Sequence, residues 1–245
     1  MSMESEYIPQ PTPPDKMNRI MKVFFRYRGR KTIARALLNM KAEDLDLNGL
    51  ILDLGAGGER QYSYYELLRF KEDSQVIAVD INQDRHPHVV ADLERNLPFK
   101  DGSFNYILMF NLLEHMYNFG GLCSEAHRVL QRGGILYMFI PFVFPLHADP
   151  YDYFRYTGYA LHRLLKDSGF NGIEVENLGF GPFTTAYFFA SFMHGILLQP
   201  TCWPILYTCH SIDRAINFMR RRLNRPYPSS SYRLPISYFV TGVKV

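Results

Sequence analysis

The sequence predicts a doubly wound α/β fold, and three observations carry that expectation. Short continuous apolar runs recur along the chain, stretches with helical spacing separate them, and glycine or aspartate stands where several runs stop. Continuous apolar strands alternating with helices describe a mostly parallel sheet covered on both faces. Such sheets bind ligands at the carboxyl ends of their strands, near the point where strand order reverses.

In chain order, residues 1–14 are a proline-spaced flexible leader that cannot be helical. Residues 15–44 turn helical, with Met17, Ile20, Met21, Phe24 and Phe25 at three- and four-residue spacings. Lys and Arg residues crowd this segment against a single acid, Asp15, as far as Lys41. They form either a solvated face on a helix that packs over the domain or a basic face for an anionic membrane or phosphorylated substrate. Residues 45–178 are the core, with strands expected at 50–54, 75–80, 89–92, 106–110 and 134–140 and a sixth at 173–178. Helices are expected near 59–72, 118–131 and 157–168. An insertion, 179–232, precedes a last strand in 233–245, and no Asp, Glu, Lys or Arg occurs from Asn177 through Ile212. Its rings include Phe180, Phe183, Tyr187, Phe188, Phe189, Phe192, Trp203 and Tyr207.

Composition excludes several classes. A chain of 245 residues with 47% hydrophobic and 21% charged content is too rich in core formers for disorder and too mixed for a polytopic membrane protein. The formal net charge of +3 is too small to imply nucleic-acid binding. Cys123, Cys202 and Cys209 form neither a disulfide framework nor a Cys-x-x-Cys metal site, which fits a reducing compartment. The first residues lack an apolar run, so no secretory signal is read and a cytoplasmic location is expected, peripheral to the inner face of a membrane if the basic and aromatic segments dock there.

Asp53-Leu54-Gly55-Ala56-Gly57-Gly58 closes the first strand with small residues that permit positive φ and close ligand approach. The dinucleotide fingerprint begun at Gly55 would need glycine or alanine where Arg60 stands, and the Gly-Lys-Ser/Thr of a P-loop is missing. Asp80 ends the second strand, where a carboxylate can accept both hydroxyls of a ribose. Asp92 closes the third strand and can accept a bond from an exocyclic adenine amine. Each of these acids also has a plain reading as a cap or loop-end carboxylate.

On these residues the sequence resembles the class I S-adenosylmethionine-dependent methyltransferases, in their small-molecule subgroup, over roughly residues 45–175. Leu52-Asp53-Leu54-Gly55-Ala56-Gly57-Gly58 looks like the family's first motif, Val79-Asp80-Ile81 like its ribose clamp, and Ala91-Asp92-Leu93 with Asn96-Leu97-Pro98-Phe99 like its adenine-contacting segment. Ser103-Phe104-Asn105-Tyr106-Ile107 with Asn111-Leu112-Leu113-Glu114-His115 is similar to the fourth strand and its exit. Residues 125–134 resemble the helix and turn before strand five. Glu59 departs from the family's small or hydroxylated residue. The resemblance implies a Rossmann-like sheet of seven strands with an antiparallel last strand, and S-adenosyl-L-methionine as cofactor, leaving as S-adenosyl-L-homocysteine. It further implies a cofactor site of Asp53, Gly55, Ala56, Gly57, Asp80, Ile81, Asp92, Leu93, Asn111 and His115.

The acceptor site is expected after strand five, in Leu146-His147-Ala148-Asp149-Pro150-Tyr151-Asp152-Tyr153-Phe154-Arg155. Some bacterial members acting on sugars or envelope intermediates carry a similar His-x-x-Pro-x-Asp-Tyr-x-Arg pattern. His147 is the first choice for a base, because its ordinary pKa lies near neutrality. Asp149 or Asp152 can orient it, Tyr153 is counted with them among the catalytic candidates, and Arg155 can bind an anionic substrate or pair with one of those acids. The plain alternative is an Asp152–Arg155 ion pair with His147 capping the next helix. No metal-ligand set is read. The apolar stretch 183–198 is shorter than a bilayer span and is interrupted by His194 and Gly195, so it reads as a lid, a homodimer face or an interfacial docking surface beside Arg214, Arg220, Arg221, Arg222 and Arg225. The expected function is methyl transfer to a small-molecule, sugar or lipid-linked acceptor. The competitors are a non-catalytic protein of the same fold acting as a regulatory or scaffold partner, an oxidoreductase, and a nucleic-acid methyltransferase, whose Asn/Asp-Pro-Pro-aromatic motif is missing at Asn111-Leu112-Leu113-Glu114.

Overall fold

The computed structural model describes residues 10, 11, 19, 22, 32–57, 63–147, 150–193, 203–223 and 234–245. Seven strands form one sheet: β1 (Leu50–Leu54), β2 (Gln75–Asp80), β3 (Val89–Val90), β4 (Phe104–Phe110), β5 (Leu130–Pro141), β6 (Asn171–Leu178) and β7 (Ser237–Val243). Their order is β3-β2-β1-β4-β5-β7-β6. Neighbours run parallel from β3 to β5, while β7 lies antiparallel to both β5 and β6. The order therefore reverses between β1 and β4, which opens a crevice at their carboxyl ends. Gln10–Pro11 adds a two-residue parallel rung outside β6, so this part of the leader is paired to the sheet.

Strand residues alternate between two apolar layers, as a sheet covered on both faces requires. Ile51, Leu108, Phe110, Phe139 and Phe239 point to one layer with helix α1 (Ile33–Ala42). Leu54, Ile107, Met109, Met138 and Val240 point to the other with α2 (Phe119–Val129) and α3 (Gly158–Asp167). Hydroxyl or amide caps start the helices: Thr32 accepts from the Arg35 N–H, Asn118 from Gly121 and Thr157 from Ala160.

Of the basic segment before the sheet, only Arg19, Lys22 and residues 32–44 are among the described residues, and Lys22 is exposed. Nearly all of α1 is buried, including Lys41, whose ammonium pairs with Glu176. Arg19 pairs with Asp44 at 2.8 Å. These charges are neutralised within the fold.

The helix expected near 59–72 is absent from its described part. Residues 63–68 are turns and Arg69–Phe70 is a two-residue strand paired with Asp46–Leu47. Both Tyr64 and Tyr65 turn inward to bond Asp53, and Leu67 and Leu68 are buried behind them. A regular helix would place successive tyrosines about 100° apart and could not aim both hydroxyls at one oxygen.

The insertion holds α4 (Pro182–Met193) and α5 (Trp203–Arg222), which pack against each other. Asp213 of α5 fastens them. Its carboxylate accepts the Phe183 and Thr184 amides, at 3.2 and 2.9 Å, and the Thr184 hydroxyl at 2.7 Å. It thus caps the N-terminus of α4 from the neighbouring helix. Phe188 and Leu206 complete this face of the core. Among the described residues no helix is long and apolar enough to cross a membrane.

Candidate active site

A cavity of about 920 Å³ opens at the carboxyl ends of β1, β2, β4 and β5. Gly55 on its wall has φ +73°, and an added Cβ would come within 2.8 Å of Leu112 Cδ1, so a side chain here is disfavoured by both conformation and space. Gly57 also takes positive φ, at 67°. Asp80 is buried at the cavity edge, 6% exposed. Its Oδ2 accepts the Gly57 N–H at 2.9 Å and its Oδ1 the Asn82 N–H at 2.8 Å. One carboxylate thus ties the β1 loop to the β2 exit. Two oxygens offer about four acceptor positions, so sites remain for a diol. Arg85 Nη1 stands 3.8 Å away.

Beside it, Ile81 is 59% exposed within the cavity wall. Asp92 and Leu93 continue that wall. Asp92 holds the Glu94 N–H at 3.0 Å, and Glu94 in turn accepts the Tyr117 and Asn118 amides, each at 2.7 Å. Asn111 leaves β4 with φ +50°, a left-handed conformation that asparagine tolerates better than most residues.

Asp53 and Arg155 are not among the cavity-lining residues. Asp53 lies fully buried with both tyrosine hydroxyls on Oδ2 and no partner among the described residues for Oδ1. Burial pushes its carboxyl up to about 7, against the lowering effect of those two donors. The sign follows: the fold favours the protonated form, so this stability is complete below the ordinary carboxyl range and is lost as pH rises through about 7. Asp53→Asn should therefore flatten the loss of stability between pH 5 and 7, by up to about 1.4 kcal/mol per pH unit, in denaturant titrations. An unchanged slope would show that Asp53 is ionised throughout.

Arg155 grips Asp152 through two hydrogen bonds of 2.5 and 2.7 Å and donates to the Pro145 carbonyl at 3.1 Å. The guanidinium holds the Asp152 carboxyl down at about 2. This is the ion pair foreseen as the plain alternative, and it fixes the loop bearing His147. Asp152 accepts the His147 backbone N–H at 2.9 Å. The His147 imidazole lines the cavity, with Nδ1 3.2 Å from the Pro145 carbonyl and Phe144 against its face. Burial lowers its pKa. His115 also lines the cavity, its ring edge-on to His147 at 5.0 Å.

Tyr151 and Tyr153 close the outer rim. The cavity thus brings together Gly55, Asp80, Ile81, Asp92, Leu93, Asn111, His115, His147 and Tyr153, while Ala56 and Gly57 sit in the adjoining loop. Asp149, Gly58, Glu59, Arg60 and the stretch 194–202 lie outside the described residues. Sequence reasoning missed Arg35 and Tyr64, which also line the cavity, and Glu114, fully buried between the two histidines. An acid following Leu112-Leu113 at a strand exit was the available signal for Glu114.

A family model described as "Methyltransferase domain" matches residues 52–138. Among solved structures, a SAM-dependent methyltransferase from Archaeoglobus fulgidus is similar, with TM-score 0.54 and 18% identity over 90% of this chain and 98% of that one. One from Thermotoga maritima gives TM-score 0.53 and 18% identity over 95% and 98%. The cyclase SpnF matches with TM-score 0.50 and 16% identity over 97% and 99%. No curated protein matched the chain in sequence. The chain has the class I S-adenosylmethionine-dependent methyltransferase fold. Its sheet order, its antiparallel β7 and its crevice are the frame of that class.

Proposed function

We propose that this chain transfers a methyl group from S-adenosylmethionine to a small-molecule, sugar or lipid-linked acceptor. One observation carries the reading: Gly55 of the glycine loop, the buried Asp80 and the exposed Ile81 line the same cavity as His147, Tyr151 and Tyr153 after β5.

The residues fit the cofactor. Asp80 would accept the ribose hydroxyls, Ile81 and Leu93 would flank the adenine, and Asp92 would take its amine. Gly55, Ala56 and Gly57 would leave room for the methionine part, with Asn111 and His115 at the β4 exit. Asp53 would act from beneath, shaping the loop through Tyr64 and Tyr65. When bound, S-adenosylmethionine supplies a methyl group on a positively charged sulfur, already activated for in-line displacement. The protein's own share is alignment and exclusion of water, which in favourable intramolecular reactions accounts for about 7–11 kcal/mol. Tyr153 and the rim rings would orient the acceptor. His147 donates from Nδ1 to the Pro145 carbonyl, which leaves the Nε2 lone pair to take the acceptor's proton. Arg155 would hold this loop in place through Asp152 rather than touch the acceptor.

A thermal-shift titration with S-adenosylhomocysteine tests the reading. At a hundredfold excess over its dissociation constant, a ligand specific to the native state stabilises by about 2.7 kcal/mol. A clear upward shift is expected, and none would remove the cofactor assignment.

The lipid-linked option has its own support. On α5, exposed Tyr207 and Phe218 share one side of the helix with exposed Arg214 and Arg222. Such a face suits an anionic lipid surface. Co-sedimentation with phosphatidylglycerol vesicles at low salt, lost at high salt, is the expected result. A chain that stays in the supernatant at low salt returns the choice to soluble acceptors.

A further inference from the structure

We propose that Glu114, which is buried, and the cavity-lining His115 and His147 form a binding site for a first-row divalent metal ion. The three side chains each place a donor atom within 4.8 Å of the other two. The Nε2 atoms of both histidines lie 3.8 Å from the same Glu114 oxygen, Oε1. Neither carboxylate oxygen of Glu114 has a hydrogen-bond partner among the described residues, although the side chain is wholly buried. A buried carboxylate without partners is costly, and coordination of a cation is one of the few ways a fold satisfies it.

The histidines are oriented as ligands. His115 Nδ1 sits 2.5 Å from the Tyr151 carbonyl, and His147 Nδ1 lies 3.2 Å from the Pro145 carbonyl and 3.3 Å from Asp152 Oδ2. Each ring therefore carries its proton on Nδ1 and presents an Nε2 lone pair towards Glu114. A ring whose other nitrogen is committed to a carbonyl or carboxylate is the usual outer support of a metal-bound histidine. The nearby Arg155 is itself engaged by Asp152, which offsets its repulsion of a cation. Ligands about 2.0–2.1 Å from a tetrahedral ion lie roughly 3.3 Å apart, so the two measured edges need to close by about half an ångström.

Two imidazoles and one carboxylate select zinc, cobalt, iron or manganese over calcium and magnesium, which favour all-oxygen shells. Three protein ligands leave a position open to the cavity. A hydroxyl bound there loses its proton more readily. The Nε2 lone pair of His147 cannot hold an ion and a proton together. The metal-free protein offers it to the acceptor's proton, whereas in the loaded protein the proton of a hydroxyl held by the ion would pass to solvent water. That consequence rests on the methyl-transfer reading, whereas ion binding does not.

The test uses untagged protein freed of metal by a chelator, with no cofactor or acceptor present. Titration with Co²⁺ is expected to give a visible absorption band saturating at one equivalent and bleached by Zn²⁺. His115→Ala, His147→Ala and Glu114→Gln should each weaken Co²⁺ binding at least tenfold, with cooperative thermal unfolding showing that the variants fold. The proposal is overturned if the parent shows no saturable band, or if the folded His147→Ala and Glu114→Gln proteins bind Co²⁺ as the parent does. Failure here leaves the S-adenosylhomocysteine titration untouched, and failure of that titration leaves Co²⁺ binding to stand.

Discussion

Asp80→Ala is expected to weaken S-adenosylhomocysteine binding by at least thirtyfold and to erase the thermal shift at ligand concentrations that stabilise the parent. Asp80 is buried, and its two oxygens already organise the Gly57 and Asn82 amides. Its removal would take away the acceptors for the ribose and loosen the glycine loop together. Truncating one partner of a buried, hydrogen-bonded charge costs about 2–5 kcal/mol, equivalent to roughly thirty- to several-thousandfold in affinity. Asp80→Asn keeps one of the two backbone N–H bonds through its single amide oxygen while its NH₂ cannot accept a hydroxyl, so it should disturb the glycine loop less than Asp80→Ala and still lose ribose binding. Calorimetry on both variants, beside their ligand-free melting temperatures, reads the outcome. Parent-like affinity in Asp80→Ala would end the ribose assignment.

Arg155→Met is expected to destabilise the fold by about 3 kcal/mol, measured by denaturant unfolding. It strands the nearly buried Asp152 carboxylate and removes donors from the Phe154 and Pro145 carbonyls. Breaking a buried ion pair from one side costs about 3–5 kcal/mol, and the 22% exposure of Arg155 places this case at the lower end. Adding Asp152→Asn should recover part of the loss, since no unpaired charge is then left behind. A change within about 0.5 kcal/mol would mean that solvent, not Arg155, stabilises Asp152.

Several strands were legible because they are nearly continuous apolar runs, and β1, β2 and β4 stop at Gly55, Asp80 and Asn111, a pattern that survives without knowledge of partners. β1 and β2 coincide with the expected 50–54 and 75–80, and β7 takes the antiparallel place that the family resemblance implied. The stretch 59–72 misled because local spacing does not register that Tyr64 and Tyr65 serve Asp53, eleven and twelve residues earlier. The candidate site was legible where residues sit at or just past strand ends, as Asp80 and Asp92 do, and His147 in the loop that follows β5 lines the same cavity. It was illegible where meaning depends on distant neighbours. Glu114 looks like one acid in an apolar run until β5's exit loop brings His147 beside it. Arg155 is equally fit for substrate or for ion pairing in sequence, and only the folded loop shows Asp152 within reach.

The position of β7 has a consequence for assembly. It fills the gap between β5 and β6 yet is made after both, and the whole insertion separates β6 from it. Until residues 237–243 leave the ribosome, the facing borders of β5 and β6 offer unpaired amides and carbonyls to any neighbouring nascent chain. Sheet closure is thus deferred until β7 has been made and released into solution, and chaperone protection of those borders matters most before that point.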